Sequence, residues 1–264
     1  MPTEIHEFFL EDVIEKIKSR LRELANTDSR SKAFVQNVRS GGSPILILKG
    51  KNNNDNQAII KREPDATFYH RGIRWPCVII EVSYSQKTKA LRHLADDYIL
   101  ETNGSVRVVI GLDVDYKTRK GSISMWRPGY VENKQGELEL EATQTLYNQV
   151  RRFLIEYQAI ADIDQVFSDG SGGPNLSPDA GLRLELKDFG LGDVTEGISG
   201  SFLINSAILR KFLNEAVEKW QNVKQQKEVA IDHLPLGMKK RRWESSSSEE
   251  IDSDEYCDEP ACLP

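Results

Sequence analysis

The stretch that decides the fold is Val78-Ile79-Ile80-Glu81-Val82-Ser83, a run of β-branched apolar residues that contains one carboxylate. Such a run is typical of a buried β-strand. Side chains alternate along a strand, so Ile79, Glu81 and Ser83 share one face and the remaining three residues share the other. A carboxylate in a protein core is costly unless it has a partner, and a divalent cation is a partner that also supports chemistry. Glu81 is therefore the first candidate site residue.

A second carboxylate lies 16 residues upstream, at Asp65. We expect Asp65 to close a strand over Ala58–Arg62, and the residues that follow leave room for a hairpin loop around Gly72. If the two strands are neighbours, Asp65 and Glu81 meet at one edge of a sheet.

Periodicity in the rest of the chain predicts a mixed α/β domain. Three- and four-residue apolar spacing over Ile5–Leu24 predicts an amphipathic first helix. The same spacing over Leu91–Ile99 predicts a crossover helix that leads to a strand at Val106–Leu112, parallel to the strand that carries Glu81. Further strands are predicted at Ile45–Lys49, Ser122–Trp126, Leu138–Ala142 and Leu182–Leu186, and a last helix at Ala207–Trp220. We expect one α/β domain over residues 1–230, with a mixed central sheet flanked by helices and the last part packed onto that sheet.

Composition limits the function classes. Hydrophobic residues make up 39% of the 264-residue chain and charged residues 29%, as in ordinary soluble globular proteins. No apolar run approaches the roughly 20 residues of a membrane span, and the N-terminus does not resemble a signal peptide, so we expect no membrane partner. The three cysteines have neither zinc-site nor disulfide-framework spacing. Before residue 238 there are 31 basic and 33 acidic side chains, so nucleic-acid binding requires a local basic rim.

Residues 231–264 have a different character. Lys239–Arg242 is a basic cluster, and Ser245–Glu259 mixes serines with acidic residues. We expect this tail to be disordered, because it has too few apolar side chains to offset the entropy lost on ordering. The basic cluster predicts import into the nucleus, and the acid-flanked serines are typical kinase targets; the alternative is a solubilising tail on a protein of the cytoplasm.

The order of the predicted elements also carries a resemblance. A helix, a strand ending in Pro64-Asp65, a strand carrying Glu81, a crossover helix and a further strand resemble the PD-(D/E)xK nuclease superfamily, which has the restriction-endonuclease-like fold. More narrowly, Glu81-Val82-Ser83-Tyr84-Ser85, Tyr98 and Gly181–Phe189 resemble the Uma-type endonucleases. The resemblance extends over residues 5 to 220.

The resemblance implies a metal-dependent nuclease that hydrolyses phosphodiester bonds. Asp65 and Glu81 would bind Mg²⁺ through their carboxylates, with the backbone carbonyl of Val82 as a third ligand. The ion would lower the pKa of a bound water and stabilise the charge that develops on the phosphate. The implied partner is nucleic acid, DNA in preference to RNA, and a homodimer is compatible with this assignment.

The sequence departs from the family pattern at one position. The family has a lysine two residues after the second carboxylate, where this chain has Ser83. Lys87 on the next helix is our choice for the displaced lysine, because it shares the inward face of that helix; Lys61, with the same strand parity as Asp65, is a second candidate. Otherwise the site has lost its chemistry and the protein is an inactive module that binds nucleic acid or a protein partner. Ser83 and Gln86 are assigned supporting roles.

Structural explanations remain open beside these functional ones. Pro64-Asp65 is also a common turn sequence, and Glu81 would be satisfied by a salt bridge to Arg62 or Arg107. Glu11 or Glu15 on the first helix could join the metal ligands, although charged helix positions are usually solvated surface.

Overall fold

A mixed β-sheet of seven strands lies at the centre of the fold in the computed structural model, which describes residues 4–51, 57–84, 88–145, 165–170 and 180–229. The unit that contains this sheet extends to Lys224, and residues 225–264 form a second unit. The expected disordered tail, 231–264, and two candidate site residues, Gln86 and Lys87, lie outside the described residues.

The described elements follow one another in this order: α1 (Glu4–Ala25), α2 (Ser29–Val35), β1 (Val38–Gly42), β2 (Leu46–Lys51), β3 (Gln57–Arg62), β4 (Ala66–His70), β5 (Val78–Tyr84), α3 (Thr88–Leu100), β6 (Val108–Asp115), β7 (Lys120–Glu132), β8 (Leu138–Gln144), β9 (Gln165–Asp169), β10 (Gly181–Glu185), β11 (Ser201–Asn205) and α4 (Ser206–Val229). Two short 3-10 helices, Leu186–Phe189 and Gly192–Thr195, lie between β10 and β11.

The central sheet has the strand order β1-β4-β5-β6-β7-β8, with β9 also paired to β7. β4 and β5 are antiparallel, whereas β5 and β6 are parallel and connected through α3. The crossover helix, the parallel pair and the antiparallel extension through β7 and β8 are as predicted. The fold is therefore mixed α/β with helices flanking a central sheet.

Alternation along β5 divides the core into two layers. Val78 and Ile80 are fully buried in a cluster that includes Phe9 of α1, while Ile79 is buried in a second cluster with Tyr98 of α3. Burial of each such side chain contributes about 1.5–3 kcal/mol. The predicted faces of β5 are confirmed, and they place Glu81 on the α3 side.

The strand that precedes Asp65 does not belong to the central sheet. β3 pairs with β2 in a separate two-stranded sheet, so the expectation that Asp65 closes a strand next to β5 is wrong. Asp65 instead leads directly into β4, and Ala66–His70 form a strand where the sequence predicts the loop around Gly72. β4 has the sequence Ala-Thr-Phe-Tyr-His, which contains three strong β-formers, and it pairs with β5.

The last part of the chain packs onto the sheet, as predicted. β10 pairs with β11, a strand that the sequence analysis did not identify. Leu182 and Ile204 from this small sheet, and Leu213 from α4, share the buried cluster that contains Val78 and Ile80 of β5. Among the described residues, no helix has both the length and the apolar content needed to cross a membrane.

Candidate functional site

The pairing of β4 with β5 brings the two candidate carboxylates together. Ala66 lies opposite Ile80 and Thr67 opposite Ile79. Continuing this register by one residue places Asp65 opposite Glu81, where side chains start about 4.5–5.5 Å apart. The two carboxyl groups therefore face each other at the edge of the sheet, although Asp65 comes from the start of β4 and not from the end of β3.

Two groups hold the Asp65 carboxylate in place. The backbone N–H of Val82 donates a hydrogen bond to Asp65 Oδ2 at 2.7 Å. His6, near the start of α1, places its Nε2 3.3 Å from the same oxygen and its Nδ1 3.3 Å from Oε1 of Glu7. Burial, the largest influence, lowers the pKa of His6, but Asp65 and Glu7 together outweigh it and the pKa is raised. The Asp65 carboxyl thus favours the charged form of His6, and the two side chains hold each other in place.

Glu81 is buried, with 8% of its surface exposed, and its partner is a buried tyrosine. The Tyr98 hydroxyl donates a hydrogen bond to Glu81 Oε1 at 2.6 Å. Burial is the main cause that raises the pKa of Glu81 to about 8. Tyr98 and the charge of His6 lower it, whereas Asp65 raises it through its charge and through a hydrogen bond between the two carboxyls. With a pKa of about 8, Glu81 favours its protonated form at neutral pH.

The proposed salt bridges to Glu81 are not formed. Arg62 donates two hydrogen bonds to Asp97 Oδ2 on α3, at 2.8 and 2.5 Å. Arg107 donates to the carbonyl of Gly104 at 3.3 Å. Within the described parts of the chain, Glu81 has no arginine partner, so this structural explanation for its burial is wrong.

Position 83, where the sequence resemblance implies a lysine, is engaged in a different interaction. Ser83 of β5 lies opposite Asp113 of β6 and donates a hydrogen bond to Asp113 Oδ1 at 2.9 Å. Lys61 lies on the exposed face of β3, opposite Ile47, and is therefore not at the carboxylates. Gln86 and Lys87 follow Ser83 closely in sequence, but their placement lies outside the described residues.

The acidic residues proposed on α1 do not reach the site. Glu11 is exposed, and Glu15 pairs with Lys18 at 2.8 Å on the solvent side of the helix. The α1 side chain that contacts a site carboxylate is His6, which was not among the predicted site residues. The signal was available, since His6 neighbours Ile5 and Phe9 on the buried side of the stripe.

Asp65 and Glu81 line a cavity of about 1030 Å³. Two cations line it too, Lys117 and Arg119, both from the connection between β6 and β7. These residues were not predicted either. They follow the carboxyl end of β6, and because β6 is parallel to β5, the residues after each strand meet at the same edge of the sheet.

Aromatic side chains complete the cavity wall: Tyr84 at the end of β5, Tyr116 just after β6, and Trp220 of α4. The Tyr84 and Tyr116 rings stack with centroids 5.6 Å apart and planes 23° apart. The pKa of Tyr116 is raised by burial first and then by the negative charge of Asp65, which places this ring within electrostatic range of the carboxylates.

Comparison of the chain with family models, curated proteins and solved structures finds no match. Among the residues that the structure describes, no group of three or more His, Cys, Asp or Glu side chains is arranged to hold a metal ion.

The oxygen donors at the cavity nevertheless fit Mg²⁺. Asp65 and Glu81 supply two carboxylates that face each other. The carbonyl of Val82 points to the same side of β5 as its N–H, which contacts Asp65, because both groups of one residue point the same way in a strand. A hard cation that binds oxygen and retains several waters is compatible with such a small donor set.

Proposed function

We propose that this protein is a metal-dependent nuclease-like hydrolase of phosphodiester bonds in nucleic acid. The observation that carries the proposal is the pair Asp65 and Glu81, which face each other across β4 and β5 on the wall of a cavity that also contains Lys117 and Arg119. Paired carboxylates bind a hard divalent cation, and the two basic side chains complement the charge of a phosphate.

We further propose that the fold is restriction-endonuclease-like. Helix α1 is followed by three strands, β1, β4 and β5, that are antiparallel neighbours, and then by the crossover helix α3 and the parallel strand β6. This order supports the resemblance to the PD-(D/E)xK superfamily. The β2–β3 hairpin is an insertion between the first two of these three strands.

Each side chain at the site has a role in this scheme. Asp65, Glu81 and the Val82 carbonyl would hold Mg²⁺, which when bound supplies an activated water and stabilises the charge on the phosphate. His6 orients Asp65, and Tyr98 orients Glu81 through a buried hydrogen bond. Lys117, or the sequence-predicted Lys87, neutralises the phosphate that approaches the carboxylates.

A second candidate function is an inactive module of the same fold that binds nucleic acid or a protein partner. It is favoured by one observation, the hydrogen bond between Ser83 and Asp113 at the position where the family carries its lysine. Without a lysine on the strand, the carboxylates keep their place but the attacking water lacks the side chain that normally orients it. The predicted location in the nucleus depends on Lys239–Arg242 and is common to both candidates.

The two candidates separate in one experiment on the full chain. Purified protein is titrated with Mg²⁺ in a calorimeter and incubated with Mg²⁺ and either supercoiled plasmid or circular single-stranded DNA. The nuclease proposal expects a heat of binding and cleavage of at least one DNA, with both lost in Asp65→Asn and in Glu81→Gln and both kept in the control Glu11→Gln. If the unaltered protein shows neither signal, the nuclease proposal fails and the binding module is favoured.

A further inference from the structure

The cavity at the carboxylates presents flat aromatic surfaces as well as charge. Tyr84 is 43% exposed and rests with one face on Tyr116, so its other side is accessible. Trp220, on α4, lines the same cavity and is only partly buried. Aromatic rings at the wall of a basic groove stack with the bases of single-stranded nucleic acid, and every base has a face for such stacking.

Lys117 and Arg119, which line the cavity, can contact the phosphates of a short nucleic-acid segment. Lys117 is exposed, and Arg119 has a hydrogen bond to Asn214 at 3.3 Å and a long ion pair with Glu218 at 3.9 Å. The Arg119–Glu218 side chains are 39% and 61% exposed, so this pair is weak and Arg119 can turn to a phosphate. Two cations correspond to about two phosphate contacts.

The position of the carboxylates disfavours a duplex. Glu81 is 8% exposed and the side chain of Asp65 is 22% exposed. A flexible single strand reaches recessed groups more readily than a duplex, whose paired and stacked bases offer no free face to Tyr84 or Trp220. Duplex binding draws on many phosphate contacts, whereas this chain has 31 basic against 33 acidic side chains before residue 238.

We propose that the cavity binds an unpaired nucleotide segment, with bases stacked on Tyr84 and Trp220 and phosphates held by Lys117 and Arg119. The inference rests on the proposed function for the identity of the polymer and adds to it the strandedness of the substrate. The shared chemistry is an unpaired base next to a phosphodiester, which single-stranded DNA and RNA both offer.

The test measures binding without catalysis. Fluorescence anisotropy in EDTA is recorded for the full chain with labelled 12-nucleotide dT, dA and U oligomers and with a 12-base-pair DNA duplex. We expect a single strand to bind at least tenfold more tightly than the duplex. Two phosphate contacts predict a loss of affinity of about sevenfold between 50 and 200 mM salt.

Substitutions of Tyr84 and Trp220 test whether the preference for single strands depends on these aromatic rings. Tyr84→Ala and Trp220→Ala are each expected to weaken single-strand binding about tenfold, whereas Tyr84→Phe retains the ring and the affinity. The matched control is Tyr130→Ala on β7, which removes a tyrosine that is 66% exposed and does not line the cavity. A circular dichroism spectrum of each variant establishes that it is folded.

The outcomes separate this inference from the nuclease proposal. Tight single-strand binding that depends on Tyr84 supports the inference even if no DNA is ever cleaved. Equal or tighter binding of the duplex, or single-strand affinity that is unchanged in both Tyr84→Ala and Trp220→Ala, overturns it. Mg²⁺-dependent plasmid cleavage together with either of those results would leave the nuclease proposal standing and this inference refuted.

Discussion

Replacement of Glu81 by Gln is expected to remove a pH dependence from the stability of the fold. Burial raises the pKa of Glu81 to about 8 in the folded protein, compared with its ordinary value of 4.5. The folded state therefore keeps a proton that the unfolded chain releases near pH 4.5. The stability that this proton contributes is fully present below pH 4.5 and is lost as the pH rises through about 8.

The size of the effect follows from linkage. Between the two pKa values the folded state binds about one more proton than the unfolded state, so the free energy of unfolding falls by about 1.4 kcal/mol per pH unit. From pH 5 to pH 7.5 the loss due to Glu81 is about 3 kcal/mol. A Gln at this position does not titrate, yet it can accept the hydrogen bond of Tyr98 and donate one to Asp65.

The assay is urea unfolding followed by circular dichroism at pH 5, 6, 7 and 7.5. The difference in unfolding free energy between Glu81→Gln and the unaltered protein should grow by about 3 kcal/mol between pH 5 and pH 7.5. The raised pKa of His6 contributes a loss of the same sign, but this is common to both proteins. The exposed control Glu11→Gln should follow the unaltered protein. Parallel pH profiles for Glu81→Gln and the unaltered protein would refute the reasoning.

A divalent cation that binds at the carboxylates should displace the proton from Glu81. At the proposed site, Mg²⁺ binding requires an ionised Glu81, so one proton should be released on binding and Mg²⁺ affinity should rise about tenfold per pH unit between pH 6 and 7.5. Calorimetry in two buffers of different ionisation enthalpy measures this proton directly. A Mg²⁺ affinity that does not change with pH would show that the cation does not replace the proton on Glu81.

Two further substitutions test the buried polar groups. Tyr98→Phe removes the donor to Glu81, which costs about 1–3 kcal/mol of stability and raises the pKa of Glu81 further, so urea unfolding should show a larger loss at pH 8 than at pH 5. Arg127→Ala leaves the buried Asp188 carboxylate without the guanidinium that lies 2.8 Å from it, and thermal and urea unfolding should show a loss of about 3–5 kcal/mol. The control Lys187→Ala removes an exposed ion-pair partner and should lower the free energy of unfolding by less than about 1 kcal/mol. Equal losses in Arg127→Ala and Lys187→Ala would show that the buried Arg127–Asp188 pair is no more important for stability than an exposed pair.

Patterns within one element predicted that element well. The alternation over Val78–Ser83 and the helical spacing over Leu91–Ile99 gave the correct strand, faces and crossover helix, because both depend on which side of an element is buried. The pairing of strands was harder to foresee. The pattern over Ala58–Arg62 predicts a strand but does not specify its partner. In the structure this strand pairs with β2 and not with β5.

The partners at the site come from elements that are distant in sequence. His6 reaches Asp65 across 59 positions, and Asp113 faces Ser83 only because β5 and β6 pair in that register. The sequence pattern predicts that Glu81 is buried, but it does not predict which hydroxyl donates a hydrogen bond to its carboxyl group. The sequence resemblance includes Tyr98, whereas the hydrogen bond from Tyr98 to Glu81 depends on how α3 packs over the strand.

The absence of a lysine from β5 and the raised pKa of Glu81 are connected. A lysine at position 83 would share the strand face of Glu81, and its ammonium would favour the ionised carboxylate. Ser83 occupies that position and donates a hydrogen bond to Asp113. The positive charge that lowers the pKa of Glu81 therefore comes from His6, and the other cations that line the cavity, Lys117 and Arg119, lie in the connection after β6. Glu81 therefore favours its protonated form below about pH 8. At the proposed metal site, Mg²⁺ would displace that proton, so the ionised Glu81 would form together with binding of the cation.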